Sequence, residues 1–195
     1  MAAGFLHEAP AGPDVQALYD EDLSESGYVW NVSKLWAYQP GTLERLFELM
    51  SQAFKSSGLD FRQRGILVAA TAATLGDSYC SLAWGGKLAS VSDPALAAGV
   101  LQGTDAGLTD QERALAAWAR KVASDPNATT PADVQELRAA DLTDQQIFAV
   151  TAFVALRLAF SSINDALGAS PDSQLVASIP REVATSVTYG RPACP

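Results

Sequence analysis

The chain has 195 residues, is 48% apolar and 18% charged, and carries a formal net charge of -9. That length and composition fit one globular domain with a sizeable core and exclude a disordered chain. With 13 basic against 22 acidic residues and no basic run, no nucleic-acid partner and no polybasic membrane anchor are expected.

Residues 1–13 contain no apolar signal-peptide core, so a cytoplasmic location is expected. Residues 15–23 fit a short first helix, whereas the aromatic stretch 28–38 (Tyr28, Trp30, Trp36, Tyr38) is ambiguous and needs a surface to cover it. Pro40 opens a clear helix, because Leu43, Leu46, Phe47, Met50 and Phe54 fall at three- and four-residue steps. Gly58 ends it. Asp60 and Gln63 then form a capping box before a helix that is apolar on every side from Ile66 to its stop at Gly76. Such a helix belongs in a core or a subunit interface.

Asp77 caps the next helix, which carries Cys80. Thr109 with Glu112, and Thr143 with Gln146, mark two further capping boxes, and Thr130-Pro131 supplies a cap followed by proline. The last long helix runs to Leu167 and is closed by Gly168; residues 181–187 suggest a further turn of helix. The apolar stretches 66–75 and 147–160 are shorter than a membrane span, and the second holds Arg157. An arginine in such a helix calls for an acidic partner or an interface. No repeat is visible. The expectation is one all-α domain over residues 1–195, with an extended N-terminal segment (1–40) and a C-terminal tail (169–195).

Two cysteines, Cys80 and Cys194, make no disulfide framework and fit a reducing compartment. The one histidine, His7, lies far from both in a solvated N-terminal segment. The segment Gly76-Asp77-Ser78-Tyr79-Cys80 places a thiol at a fresh helix start, where the helix dipole favours a thiolate. Asp77 opposes this, because a nearby carboxylate raises a thiol pKa. No phosphate-binding glycine loop and no His/Cys metal cluster are present, so no cofactor and no metal are expected.

The chain resembles the carboxymuconolactone decarboxylase/AhpD-like superfamily. The resemblance rests on 61–89, an apolar helix followed by Tyr79-Cys80 at a helix start, then on the capped helices at Thr109 and Thr130. It continues at Asn164-Asp165-Ala166-Leu167-Gly168 and at Val187-Thr188-Tyr189-Gly190-Arg191-Pro192. It implies an AhpD-like all-helical fold and a homo-oligomer built on trimers. Peroxidase members of that group use a glutamate near the start of the apolar helix, a Cys-x-x-Cys pair, and a histidine four residues beyond the second cysteine. Matched through Tyr79-Cys80, Cys80 stands in the second-cysteine slot, Asp77 in the first, Trp84 in the histidine slot and Gly65 in the glutamate slot.

A dithiol peroxidase needs a thiolate, a second thiol to condense with the sulfenic acid, and a base. Only the first has a candidate here. The resemblance implies a thiol-dependent peroxidase of peroxiredoxin type acting through Cys80 alone, on a hydroperoxide or other small organic molecule, with an external thiol as reductant. The competing class is a catalytically degraded member that binds a small ligand, with Trp84 lining an apolar pocket. Lactone decarboxylation is disfavoured by the missing histidine. Asp77, Trp84 and Lys87 are the modulating or pocket candidates: Asp77 as an N-cap, Trp84 as a pocket wall or space filler, Lys87 as a snorkelling lysine two turns beyond Cys80. Cys194 is expected to be a mobile tail thiol.

Overall fold

The computed structural model describes residues 4–194, and among them it contains eleven α-helices and no strand. In chain order these are α1 (Pro13–Ser26), α2 (Asn31–Trp36), α3 (Pro40–Lys55), α4 (Phe61–Leu75), α5 (Ser78–Ser90) and α6 (Pro94–Gln102). There follow α7 (Asp110–Ser124), α8 (Pro131–Ala139), α9 (Asp144–Ala166), α10 (Ser173–Ser178) and α11 (Arg181–Ser186).

The expected caps form. Asp60 Oδ1 accepts from the Gln63 amide at 2.8 Å while Gln63 Oε1 accepts from the Asp60 amide at 3.0 Å. Equivalent reciprocal boxes open α7 (Thr109, Glu112), α8 (Thr130, Asp133) and α9 (Thr143, Gln146). Gly76 takes the left-handed φ of 72° that a glycine adopts without strain, and α4 stops there. Two helices went unforeseen. Asp93 caps α6, with Pro94 at its start, and α10 is a short helix in the tail.

α4 is the centre of the fold. Gly65, Ile66, Leu67, Val68, Ala69, Ala70, Thr71 and Ala72 are buried in succession, which is two turns without a solvent face. Its apolar circumference is therefore covered within this chain, by α5, α6, α7 and α9. A Cβ placed on Gly65 would lie 3.2 Å from the Leu88 side chain. The start of α4 thus meets the end of α5, so the two run antiparallel on either side of Gly76.

α9 packs against α3, α4, α7 and α8. At 23 residues it is long and apolar enough to cross a membrane by length and composition, which the shorter run 147–160 did not suggest. Its buried side chains nevertheless include Arg157, Ser161 and Asn164 beside Val150, Phe153 and Phe160, the mixture of a polar-centred core helix.

The N-terminal segment is helical as well as extended, and its aromatic residues cover the core of their own chain. Trp36 is 5% exposed, stacks on Phe160 at 5.7 Å and donates its indole N–H to Asn164 Oδ1 at 2.8 Å. The tail closes over the N-terminal half of α5. Ser78 Oγ donates to the Arg191 carbonyl at 2.8 Å and Tyr189 Oη donates to Ser81 Oγ at 3.0 Å. Cys194, expected as a mobile tail thiol, is half-buried and donates its amide to the Pro171 carbonyl at 2.9 Å.

Gly85 marks a close approach of α5 to α6 and α11: an added Cβ would sit 2.7 Å from Val183 Cγ1 and 2.8 Å from Leu101 Cδ1. Gly85→Ala is therefore expected to destabilise the fold by about 1–3 kcal/mol through overpacking, read as a lowered urea midpoint with an unchanged slope. An unchanged midpoint would show that α5, α6 and α11 do not pack this tightly.

Candidate functional site

Cys80 occupies the first turn of α5, with Asp77 at the N-cap. Asp77 Oδ1 accepts from the Cys80 amide at 2.9 Å. The carboxylate is fully buried, and its other oxygen, Oδ2, has no hydrogen-bond partner. The N-cap role expected for Asp77 is thus met, with half of the group left over.

The thiol is 3% exposed. It receives a guanidinium N–H from Arg157 Nη2 at 3.2 Å, and Ser161 Oγ lies 3.8 Å away. Burial pushes the Cys80 thiol far above its ordinary pKa, and the Asp77 carboxylate pushes the same way; Arg157 and Ser161 oppose them without prevailing. This corrects the expectation that the helix start would lower it. A dipole end contributes about 0.3–1 kcal/mol, whereas removing a thiolate from water beside a carboxylate costs more.

Arg157 corrects a second expectation. It is 5% exposed, yet it forms no ion pair with any carboxylate among the described residues. Its donors reach Cys80 Sγ and, at 4.0 Å, Met50 Sδ, and its Nε is buried without a partner. The guanidinium carbon lies 5.0 Å from the Phe160 ring centre and 5.6 Å from that of Trp84.

Trp84, the residue in the histidine slot, gathers two more cations. Arg64 of α4 lies 5.1 Å from its ring centre and also stands over Phe54 and Phe153, at 5.3 and 5.6 Å. Lys87 Nζ lies 4.8 Å from the same indole. Lys87 is exposed, as a snorkelling lysine should be. Its ammonium is nevertheless crowded by protein, and that crowding, with Arg157 and Arg64 beside it, lowers its pKa. Burial, and then Arg157, lowers the Arg64 pKa likewise. Phe61, at 6.1 Å from the Trp84 ring, completes the aromatic edge and is itself exposed.

Cys80, Asp77, Trp84 and Lys87 are therefore brought into one region of α5, joined by Arg64 from α4 and Arg157 from α9. Sequence reasoning missed Arg64 and assigned Arg157 to structure. The available signal was that each interrupts or borders an apolar run: Arg64 precedes the buried stretch that starts at Gly65, and Arg157 sits in the middle of α9. No group of three or more His, Cys, Asp or Glu able to hold a metal occurs among the described residues. A separate crevice of about 1500 Å³ between α1 and α3 is lined by Glu21, Asp22, Glu25, Glu44 and Glu48, and none of the α5 residues reaches it.

No protein-family model and no curated protein sequence matches the chain. Solved structures do. The alkylhydroperoxidase AhpD core of an uncharacterized peroxidase-related protein from Ralstonia eutropha superposes with a TM-score of 0.80 at 22% identity, covering 93% of this chain and 100% of that one. A second uncharacterized peroxidase-related protein, from a Silicibacter species, gives a TM-score of 0.80 at 19% identity over 90% and 95% of the two chains. The debrominase Bmp8 gives 0.70 at 14% identity over 90% and 92%. The chain has the AhpD-like helical fold, as its motifs implied.

A further carboxylate lies near Asp77 and Arg191 of the tail. Asp165, half-buried near Asp77, has its pKa raised to about 6 by burial and then by Asp77, against Arg191. An acid whose folded pKa exceeds its unfolded value of about 3.9 contributes stability below that value, and the contribution is lost as pH rises through the folded pKa. Asp165→Asn is therefore expected to raise the Tm at about pH 7.5 relative to wild type, with the gain vanishing near pH 4. An equal effect at both pH values would mean that Asp165 titrates normally.

Proposed function

We propose that this chain is a small-ligand-binding AhpD-like protein of the cytoplasm, in which Cys80 lines the site and does not drive a peroxidase cycle. The observation that carries the reading is the state of the thiol: buried, raised in pKa, and beside Asp77 in place of a second cysteine and Trp84 in place of a histidine. A fast peroxidatic cysteine needs thiolate at neutral pH and access for the peroxide. The largely buried Trp84 indole supplies an apolar surface of the kind small-molecule sites use, and the cations that stand over its ring can orient what binds beside it. The ligand is a small organic molecule. Exposed Phe148, at 76%, and Leu49, at 50%, fit assembly into a homo-oligomer, for which a trimer-based form is the natural candidate in this fold.

One observation favours a second reading, a single-cysteine thiol oxidoreductase of peroxidase type with an external thiol as reductant. Arg157 donates directly to Cys80 Sγ, and a guanidinium in that position stabilises a thiolate once solvent reaches it. The structural likeness to a debrominase of which a cysteine-to-alanine variant was solved with 2,3,4-tribromopyrrole fits either reading.

Hydroperoxide consumption with dithiothreitol as reductant separates the two. Under the binding reading, wild type and Cys80→Ser consume peroxide at the same slow rate. Turnover by wild type that disappears in Cys80→Ser would overturn it in favour of the oxidoreductase.

A further inference from the structure

We propose that Arg64, Lys87 and Arg157 form a receptor for an organic carboxylate whose apolar body lies against Trp84. The proposal rests on the ligand-binding reading and specifies the charge of the ligand.

The chain is acidic overall, with a net charge of -9 and 13 basic residues. Other basic residues of the core pair with acids. Arg62 meets Glu112 at 2.6 Å, Arg120 meets Asp105 at 2.5 Å, and Lys121 meets Asp133 at 2.5 Å. Arg64, Lys87 and Arg157 do not: among the described residues none of the three ion-pairs with a carboxylate or donates to an oxygen. Instead they converge on one indole, with charge centres 4.8 to 5.6 Å from its ring centre.

The magnitudes argue against a purely structural cluster. A cation over an aromatic face gains about 0.5–2 kcal/mol. Burying an ion costs several kcal/mol unless it is paired and its donors are used. Here the donors are used only in part: Arg157 reaches nothing harder than two sulfurs, Nε of Arg64 and Nε of Arg157 are both buried and unpartnered, and Arg157 as a whole is 95% removed from solvent. Three like charges also repel: burial first, and then the neighbouring cations, lower the pKa of Arg64 and of Lys87. An anion relieves all of these costs together. Two guanidiniums favour a carboxylate, whose two oxygens match their paired N–H groups, and Lys87 supplies a mobile third charge at the solvent edge. Exposed Phe61 beside Trp84 extends the apolar wall and selects an organic body over an inorganic ion.

The carboxylates of the protein do not fill this role. Asp77, beyond Cys80, is engaged with the Cys80 amide. Glu25 of α1 favours the charged form of Lys87 at a distance but makes no ion pair with it.

Benzoate serves as the probe, with benzamide as its neutral counterpart and inorganic phosphate as an anion without an apolar body, all at matched ionic strength. Benzoate is expected to raise the Tm in step with the logarithm of its concentration, with no rise from benzamide or phosphate. Arg157 is buried, so charge is removed at exposed Lys87 and half-exposed Arg64. Lys87→Gln and Arg64→Gln should each weaken benzoate about tenfold, while Lys55→Gln in the acidic crevice leaves it unchanged. Equal stabilisation by benzamide would overturn the charge claim and leave the ligand-binding reading standing. Equal stabilisation by phosphate, or none by benzoate, would overturn the proposal. Peroxide turnover through Cys80 would overturn the ligand-binding reading by a separate measurement.

Discussion

Arg157 enters the protein on α9 without an acidic partner, and the centre of the molecule is arranged around that charge. Its guanidinium is wedged between the rings of Trp84 and Phe160, with Cys80 Sγ at 3.2 Å and Met50 Sδ at 4.0 Å. Sulfur and aromatic faces are soft, weakly polar partners. They hold the guanidinium in place without neutralising it. Phe160 in turn carries Trp36, which fixes the N-terminal segment, so the cation links α2, α3, α5 and α9.

The same charge decides what Cys80 is able to do. Burial and Asp77 favour the thiol, and Arg157 favours the thiolate. In the folded protein the first two prevail, because desolvation and the neighbouring carboxylate cost a thiolate more than Arg157 returns. The Asp77 oxygen without a partner at the start of α5 and the Asn164 amide without one on α9 show that other buried polar groups are also incompletely matched. The core is therefore well packed in its apolar part, around α4, and under-satisfied at polar groups of α4, α9 and the start of α5. That division is the pattern of a stable scaffold carrying a site where several helices meet.

Much of the scaffold was legible because helix ends are written locally. Asp60 with Gln63, Thr109 with Glu112 and Thr143 with Gln146 are four-residue signals that need no tertiary information, and Gly76 stops α4 for a reason internal to the backbone. The buried status of Ile66 to Ala72 followed from their composition alone. α6 was missed although Asp93 and Pro94 give the same kind of signal, because its Ala- and Gly-rich run has no sharp apolar face.

The site was legible only in part. Cys80 and its cap lie within four residues, so the sequence displays them together. Arg64, Trp84 and Arg157 come from three helices, separated by 20 and 73 positions along the chain. Only the packing of α4, α5 and α9 makes them neighbours. The state of the thiol was misjudged for the same reason: the helix dipole is local and visible, whereas burial is not. Ultraviolet titration of the Cys80 thiolate in a Cys194→Ser background tests this point most directly. The expected result is no thiolate signal from the native protein until pH is well above the ~8.5 of a free cysteine, and a thiolate already present at neutral pH would contradict it.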